Sequence, residues 1–376
     1  MAGARAAIEY LKEAHRVPVL PGIVFPGLVA MLVLVAMGAA AGEIHRDEEV
    51  VFFPTSAWQE DGAWRIPVHG WIFEPEPDSL WRAGFVASLR RLSGVDDDPL
   101  REARFRQRVR FFLVDNERGK MLRLELAGRQ HLTEASAPNG HFRAQLHLPV
   151  EATTAAPAWL PFATHADGER DFHGKVQLVG RTGLSVISDI DDTVKLSEVL
   201  DRRALLANTF VEPFRAVEGM PALYRRWQAQ GAAFHYVSSS PWQLYPPLAA
   251  FFHEAGLPAG SFHLKTFRLK DGTLFDMFAS SLDTKPPVIF ELLQRYPDRR
   301  FILVGDSGEH DPEVYGLVAR RFPRQVVAIY IRAVEGSDLG AARMQAAFHD
   351  VPATHWQVFD DPARLAAMPL HQATTH

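Results

Sequence analysis

Four short runs of this 376-residue chain carry side chains whose types and spacing suit the chemistry of a phosphorylated substrate. Asp189-Ile190-Asp191-Asp192-Thr193 follows the apolar run LSVIS. Three carboxylates in four positions repel one another, and a hard divalent cation such as Mg²⁺, which prefers carboxylate oxygen, removes the conflict. Ser238-Ser239-Ser240 ends the run AAFHYV and offers hydroxyl and backbone N–H groups to an oxyanion. Lys285, in DTKPP, is a point charge of the kind that binds phosphate. Gly305-Asp306 ends RFILVG, with Asp311 five residues on. Singly, each run is ordinary for a surface loop or turn. Jointly, each placed at or near the end of an apolar run, they read as one anion- and metal-binding site.

The elements that must position these residues are legible from residue 183 onward. The runs LSVIS, AAFHYV, RFILVG and VVAIYI alternate with helical stretches such as MPALYRRWQAQG, PPVIFELLQRYP and DPEVYGLVARRFP. Such alternation predicts βαβ units and a parallel sheet, in which ligands sit beyond the carboxyl ends of the strands. Lys265, in LKTFRL, competes with Lys285 as the phosphate lysine. Lys285 is preferred because it leads a helix-like run. Lys265, Arg268 and Lys270 fit either a head-group contact or a solvated hairpin around Lys270-Asp271-Gly272.

The first half differs. VVFFPT (50–55), WRIPVHGWIF (64–73), VRFFLVD (109–115) and KMLRLEL (120–126) are short and rich in strand formers. HFRAQLHLPV (141–150) alternates apolar and polar residues as a half-buried strand does. These runs predict an antiparallel, sandwich-like sheet. Trp81, Phe85, Leu89 and Leu92 fall at helical spacing, and the arginines at 101, 104, 106, 108 and 110 read as an exposed linker. No catalytic constellation is visible here.

Composition narrows the class. A formal charge of −5 argues against a nucleic-acid binder, and the absence of cysteine excludes disulfides and thiolate chemistry. Val17–Gly42 holds no charged residue. Its unbroken apolar piece, Leu28–Ala41, has signal-peptide length, with small residues Ala39–Ala41 behind it and Arg5, Lys12 and Arg16 ahead. Export to the periplasm or cell envelope is expected, by a cleaved signal or an uncleaved anchor. The expected organisation is 1–42 leader or anchor, 43–182 β-rich domain, 183–368 α/β domain and 369–376 tail.

The second half resembles the haloacid dehalogenase-like (HAD) phosphatases, whose DxDx[TV] signature matches residues 189–193. SDIDDTV, YVSSSPWQL and GDSGEHDPE look more narrowly like the App1-type phosphatidate phosphatase catalytic domain, related to the lipin catalytic region and to the LNS2 domain. The resemblance covers about 183–335 and implies a HAD-like, doubly wound α/β fold. It makes Asp189 the nucleophile that forms an aspartyl-phosphate, and Asp191 the acid and then the base. The acid role requires a raised pKa, which two neighbouring carboxylates predict. Asp189, the backbone carbonyl of Asp191 and Asp306 would hold Mg²⁺. Ser238 and Lys285 would bind the phosphoryl group, Asp311 would orient Lys285 or a metal-bound water, and Thr193 would brace the loop. Asp192 stands where many HAD members carry Gly.

The gaps from Thr193 to Ser238 and from Ser238 to Lys285 are too short for a large cap domain, so an open site facing a phospholipid at a membrane surface is expected. Phe210, Phe214, Trp242, Leu244, Tyr245, Phe275 and Phe278 are candidates for an acyl-chain lip or for ordinary core. A phosphatase of a soluble phosphomonoester and a non-catalytic lipid-phosphate binding module remain alternatives. Having both Asp189 and Asp191 argues against the latter. The sequence identifies no protein partner.

Overall fold

The computed structural model describes residues 44–75, 80–150, 159–166, 170–267 and 281–366. The expected leader at 1–42, the 270–272 hairpin, Phe275, Phe278 and the tail lie outside them. Among the described residues, no helix is long and apolar enough to cross a membrane. Ala41–His376 form one compact unit.

The first half holds strands β1 (Glu49–Phe53), β2 (Thr55–Glu60), β3 (Ala63–Pro75), β4 (Val114–Asn116), β5 (Arg123–Leu126), β6 (Arg129–Leu132), β7 (His141–Pro149), β8 (Trp159–Ala166) and β9 (Arg170–Leu178). They run in the order β1-β3-β2-β9-β8-β5-β6, with β4 and β7 also paired to β3. Pairing is antiparallel except between β2 and β9, which are parallel from Thr55↔Val176 to Ala57↔Leu178. The alternation in β7 is realised: Phe142, Ala144, Leu146 and Leu148 are buried while Arg143, Gln145 and His147 face solvent. They join Ile66, Val68, Leu124, Phe162 and Val176 in one core.

Two expectations for this half are corrected. Val109–Asp115 is not one strand, because the helix Pro99–Val109 and a 3-10 turn at Arg110–Phe112 occupy most of it. Asp98 starts that helix by accepting from the Leu100 N–H, with Pro99 in the first turn. Nor are Arg101, Arg104 and Arg108 part of an exposed linker, although Arg106 and Arg110 are exposed. The buried Arg108 guanidinium donates to the carbonyls of Thr209 (2.9 Å) and Glu212 (2.8 Å) and lies 3.7 Å over the Phe214 ring. Arg104 donates to the Val211 carbonyl and Arg101 pairs with Glu212.

The second half is the expected parallel sheet. Strands β10 (Leu184–Ser188), β11 (Ala233–Pro241), β12 (Ser261–Lys265), β13 (Arg300–Asp306), β14 (Val326–Arg332) and β15 (Trp356–Phe359) lie in the order β12-β11-β10-β13-β14-β15, all neighbours parallel. A parallel sheet is buried on both faces, and the side chains divide accordingly. Val186, Phe234, Tyr236, Ile302 and Val304 join a core with the helices Arg202–Phe210, Met220–Ala229 and Tyr245–Glu254. Ile187, Val237, Phe301, Leu303 and Ile329 join another with Ser281–Arg295, Asp311–Arg321 and Ala341–Ala347. Phe210, Trp242 and Leu244 are core residues of the first face rather than an exposed lip.

The two halves meet in aromatic rings. The Phe53 ring of β1 lies tilted 4.2 Å from that of Trp242 and meets Tyr245 edge-to-face at 5.1 Å. His69 of β3 sits edge-on to Trp242 at 4.8 Å and hydrogen-bonds His141 at 3.0 Å. Burial holds His69 well below its usual value of 6.5, with His141, Arg143 and His263 adding to the effect. Burial and then Arg143 bring His141 down to about 4. Such histidines stay neutral in the fold but take up protons in the unfolded chain below 6.5. Stability is therefore fully present above that pH and falls as pH drops from 6.5 towards 4. The unfolding free energy, measured by denaturant titration, is expected to fall across this window, by about 3 kcal/mol for a group shifted as far as His141. His141→Gln should make the dependence shallower, and an unchanged slope would show that this pair does not carry it.

Candidate active site

Asp189, Asp191, Thr193, Ser238, Lys285, Asp306 and Asp311 stand at the carboxyl end of the parallel sheet or on a helix packed against it. Ser188 pairs with Val304 of β13 and Tyr236 of β11. This register brings Asp189, just past β10, beside Asp306, the last residue of β13. The four sequence-predicted site aspartates are buried: Asp189 (1% exposed), Asp191 (7%), Asp306 (0%) and Asp311 (0%).

The loop after β10 is shaped by Asp192, which takes a left-handed φ of 51°. Asp tolerates that region better than most residues. Its carboxylate holds the turn by accepting from the N–H groups of Ser197 (2.8 Å), Glu198 (3.0 Å) and Val199 (2.7 Å). Arg332 donates to its carbonyl at 2.6 Å. The departure from Gly at this position is therefore structural: the side chain ties down the loop. Thr193 donates to Asp189 Oδ2 at 3.3 Å, as a brace would.

Lys285 lies in the helix Ser281–Arg295 and is 1% exposed. Its ammonium is 2.9 Å from Asp189 Oδ1, 2.6 Å from Asp311 Oδ1 and 3.2 Å from Glu309 Oε2. Asp311 opens the helix Asp311–Arg321, and its other oxygen accepts from the Asp306 N–H at 3.2 Å. Only glycine fits at 305, since a Cβ there would lie 2.2 Å from that oxygen. Of the two expected roles for Asp311, the geometry gives contact with Lys285.

Asp306 turns the chain by accepting from the N–H groups of Gly308 (2.6 Å) and Glu309 (3.0 Å) through Oδ1. Its buried Oδ2 has no hydrogen-bond partner. Asp189, Asp306 and Glu309 each bring a carboxylate oxygen within 4.8 Å of the others, a grouping able to hold a metal ion. The orphaned oxygen and an all-carboxylate donor set suit a hard divalent cation. Glu309 was missed as a ligand in the sequence, although it stands in GDSGEHD. The side chain of Asp191, by contrast, is not in this group.

Asp191 instead sits in a cage of donors. Oδ1 meets the Lys195 ammonium at 2.8 Å and the Ser197 hydroxyl at 2.6 Å. Oδ2 accepts from Ser240 at 2.8 Å and Ser238 at 3.2 Å. The expected rise in its pKa is therefore corrected. Burial pushes the carboxyl up, but Lys195 and the hydrogen bonds from Lys195, Ser197 and Ser240 outweigh it and hold the group at about 2. Asp189 and Asp306 go the other way. Burial raises both, and the neighbouring carboxylates add to it, while Lys285 only partly opposes. Lys285 is pulled up by Asp189, Asp311 and Glu309 against its own desolvation.

Comparison with known proteins agrees with this geometry. Residues 184–333 match the family described as phosphatidate phosphatase APP1, catalytic domain, the family that the motifs of this stretch resemble. The chain is 37% identical over 182 residues to phosphatidate phosphatase APP1 of Saccharomyces cerevisiae, covering 47% of this chain and 30% of that protein. It is 33% identical over 178 residues to an uncharacterised Schizosaccharomyces pombe protein, covering 46% of this chain and 29% of the relative. It thus spans about a third of the length of these curated relatives. A solved structure of D,D-heptose 1.7-bisphosphate phosphatase from B. bronchiseptica, complexed with magnesium and phosphate, aligns at 15% identity with a TM-score of 0.31, over 50% of this chain and 99% of that one. A likeness at that score carries no argument.

The surplus of negative charge makes a direct prediction. Adding a divalent cation should raise the thermal midpoint of the wild type, because a ligand that binds only the folded state stabilises it. Asp306→Asn should be at least as stable as the wild type in EDTA and lose that rise. A rise of wild-type size in the variant would remove Asp306 from the cation site.

Proposed function

We propose that the chain is a Mg²⁺-dependent phosphatase that hydrolyses a phosphomonoester, phosphatidate to diacylglycerol, through an aspartyl-phosphate on Asp189. One observation carries this reading: Asp189 is buried at the carboxyl end of β10 with the Lys285 ammonium 2.9 Å away and Asp306 and Glu309 within metal-sharing distance. When bound, Mg²⁺ supplies positive charge that lets a phosphate dianion approach a cluster of carboxylates.

The chain's own residues then have distinct tasks. A carboxylate oxygen of Asp189 attacks phosphorus, forming the acyl phosphate as the bond to the leaving alkoxide breaks. Lys285 faces the same carboxylate and neutralises the transferred phosphoryl group once a phosphate oxygen takes the place of Glu309, its most distant partner. Ser238, whose hydroxyl accepts from the Ser240 N–H at 2.9 Å, contributes a hydroxyl to that group.

Asp191 gives a proton to the alkoxide and later takes one from the water that cleaves the acyl phosphate. Its resting state is the carboxylate, which suits the second task directly. The first requires protonation, and an arriving phosphate dianion favours it by adding like charge and competing for the hydroxyls of Ser238 and Ser240.

Phosphatidate as substrate is supported by the APP1 family match and by the absence of a large cap among the described residues between β10 and β12. Action at an envelope membrane, with Val17–Gly42 as leader or anchor, belongs to the same proposal.

Purified protein should release phosphate from p-nitrophenyl phosphate and from phosphatidate in mixed micelles with Mg²⁺ and not with EDTA. Asp189→Asn should lose more than a thousandfold, the scale on which removal of a covalent nucleophile acts. Turnover persisting in that variant would overturn the nucleophile assignment, and strong preference for soluble esters would replace the lipid substrate.

A further inference from the structure

One buried charge at this site has no part in binding metal or phosphoryl group. Lys195 is 2% exposed, six residues past the nucleophile, where the loop bent by Asp192 returns beside Asp191 as an isolated bridge. Its ammonium is 2.8 Å from Asp191 Oδ1, bonds the Ser197 hydroxyl and lies 5.1 Å over the Phe214 ring. A lysine is costly to bury without a compensating charge, and Asp191 provides it. Lys195 makes no ion pair with Asp189, Asp306 or Glu309, whereas Lys285 engages Asp189 and Glu309.

The geometry has a directional consequence. Oδ1 of Asp191 is held from one side by Lys195 and Ser197, so Oδ2 is the oxygen presented to Ser238 and Ser240 at the end of β11. That is the side on which the phosphate-binding loop stands. Without the ammonium, this buried carboxylate keeps only neutral hydroxyl donors, which orient and balance it less strongly.

We propose that Lys195 is a positioning residue: by clamping Oδ1 it aims Oδ2 of Asp191 at the leaving oxygen and so sets how well the enzyme expels a poor leaving group. The inference rests on the acid role given to Asp191 above. Proton donation matters most when the departing alkoxide is a strong base, as the glycerol oxygen of phosphatidate is. It matters little for p-nitrophenolate, which leaves as a stable anion. A residue that only stabilises the fold would affect both substrates alike.

The test compares wild type, Lys195→Met and Ser197→Ala with Mg²⁺ on p-nitrophenyl phosphate and on phosphatidate in mixed micelles. Lys195→Met should lower kcat on phosphatidate by about a hundredfold or more, within the range attributed to general acid catalysis, with KM little changed. Its kcat on p-nitrophenyl phosphate should fall less than tenfold. Ser197→Ala, which removes one donor from the same oxygen, should show the same selectivity more weakly, and it serves where Lys195→Met does not fold. Equal losses on both substrates, or a loss confined to KM, would overturn the positioning role. Failure of the wild type on both substrates would instead overturn the phosphatase reading itself.

Discussion

The site depends on one buried ammonium. Lys285 stands against Asp189, Asp311 and Glu309, with Asp306 beside them, and these four carboxylates outnumber the one buried ammonium among them. Burial makes each uncompensated charge expensive. The structure meets this partly with backbone donors, giving Asp306 Oδ1 the amides of Gly308 and Glu309 and Asp311 Oδ2 the amide of Asp306. What remains is Asp306 Oδ2, with no partner, in a pocket of like charge. A divalent cation would complete such a balance, and in the proposed reaction it would do so before a phosphate dianion enters.

Two lysines divide the work between two aspartates on one loop. Lys285 comes from a distant helix and meets Asp189, whereas Lys195 comes from the same loop and meets Asp191. The two carboxyls are consequently pushed in opposite directions, Asp189 upward by burial and like charge and Asp191 down to about 2. Groups so separated can take different parts in one reaction. Among the described residues, the β-rich half contributes no carboxylate to this arrangement but braces it. Arg108 clamps the carbonyls of Thr209, in the last turn of the helix Arg202–Phe210, and of Glu212, just past its end. Phe53 and His69 pack on Trp242, two residues past Ser240.

Much of this was legible in the sequence where local pattern and tertiary role coincide. The period-2 alternation of residues 141–149 and the apolar runs ending at Asp189, Ser238 and Asp306 became the expected strands, and the expected residues share one end of the sheet. The failures are of another kind. Val109–Asp115 looks like a strand by composition, but Asp98 and Pro99 had already started a helix running through Val109. The pKa of Asp191 was misjudged because counting nearby carboxylates ignores a lysine delivered by the left-handed turn at Asp192. Glu309 was passed over because only the turn closed by Asp306 brings it beside Asp189. The last two misses involve a partner placed by a bend in the chain, which hydrophobic periodicity does not encode.

The proposed reaction requires Asp189 to take the phosphoryl group, and mapping the phosphorylated residue tests that most directly. After a rapid acid quench during turnover with Mg²⁺, mass analysis of the digested protein should find a hydroxylamine-labile phosphate on the peptide containing Asp189, absent when EDTA replaces the metal. Turnover at full rate with no phosphate on that peptide, or with the label on another residue, would contradict it.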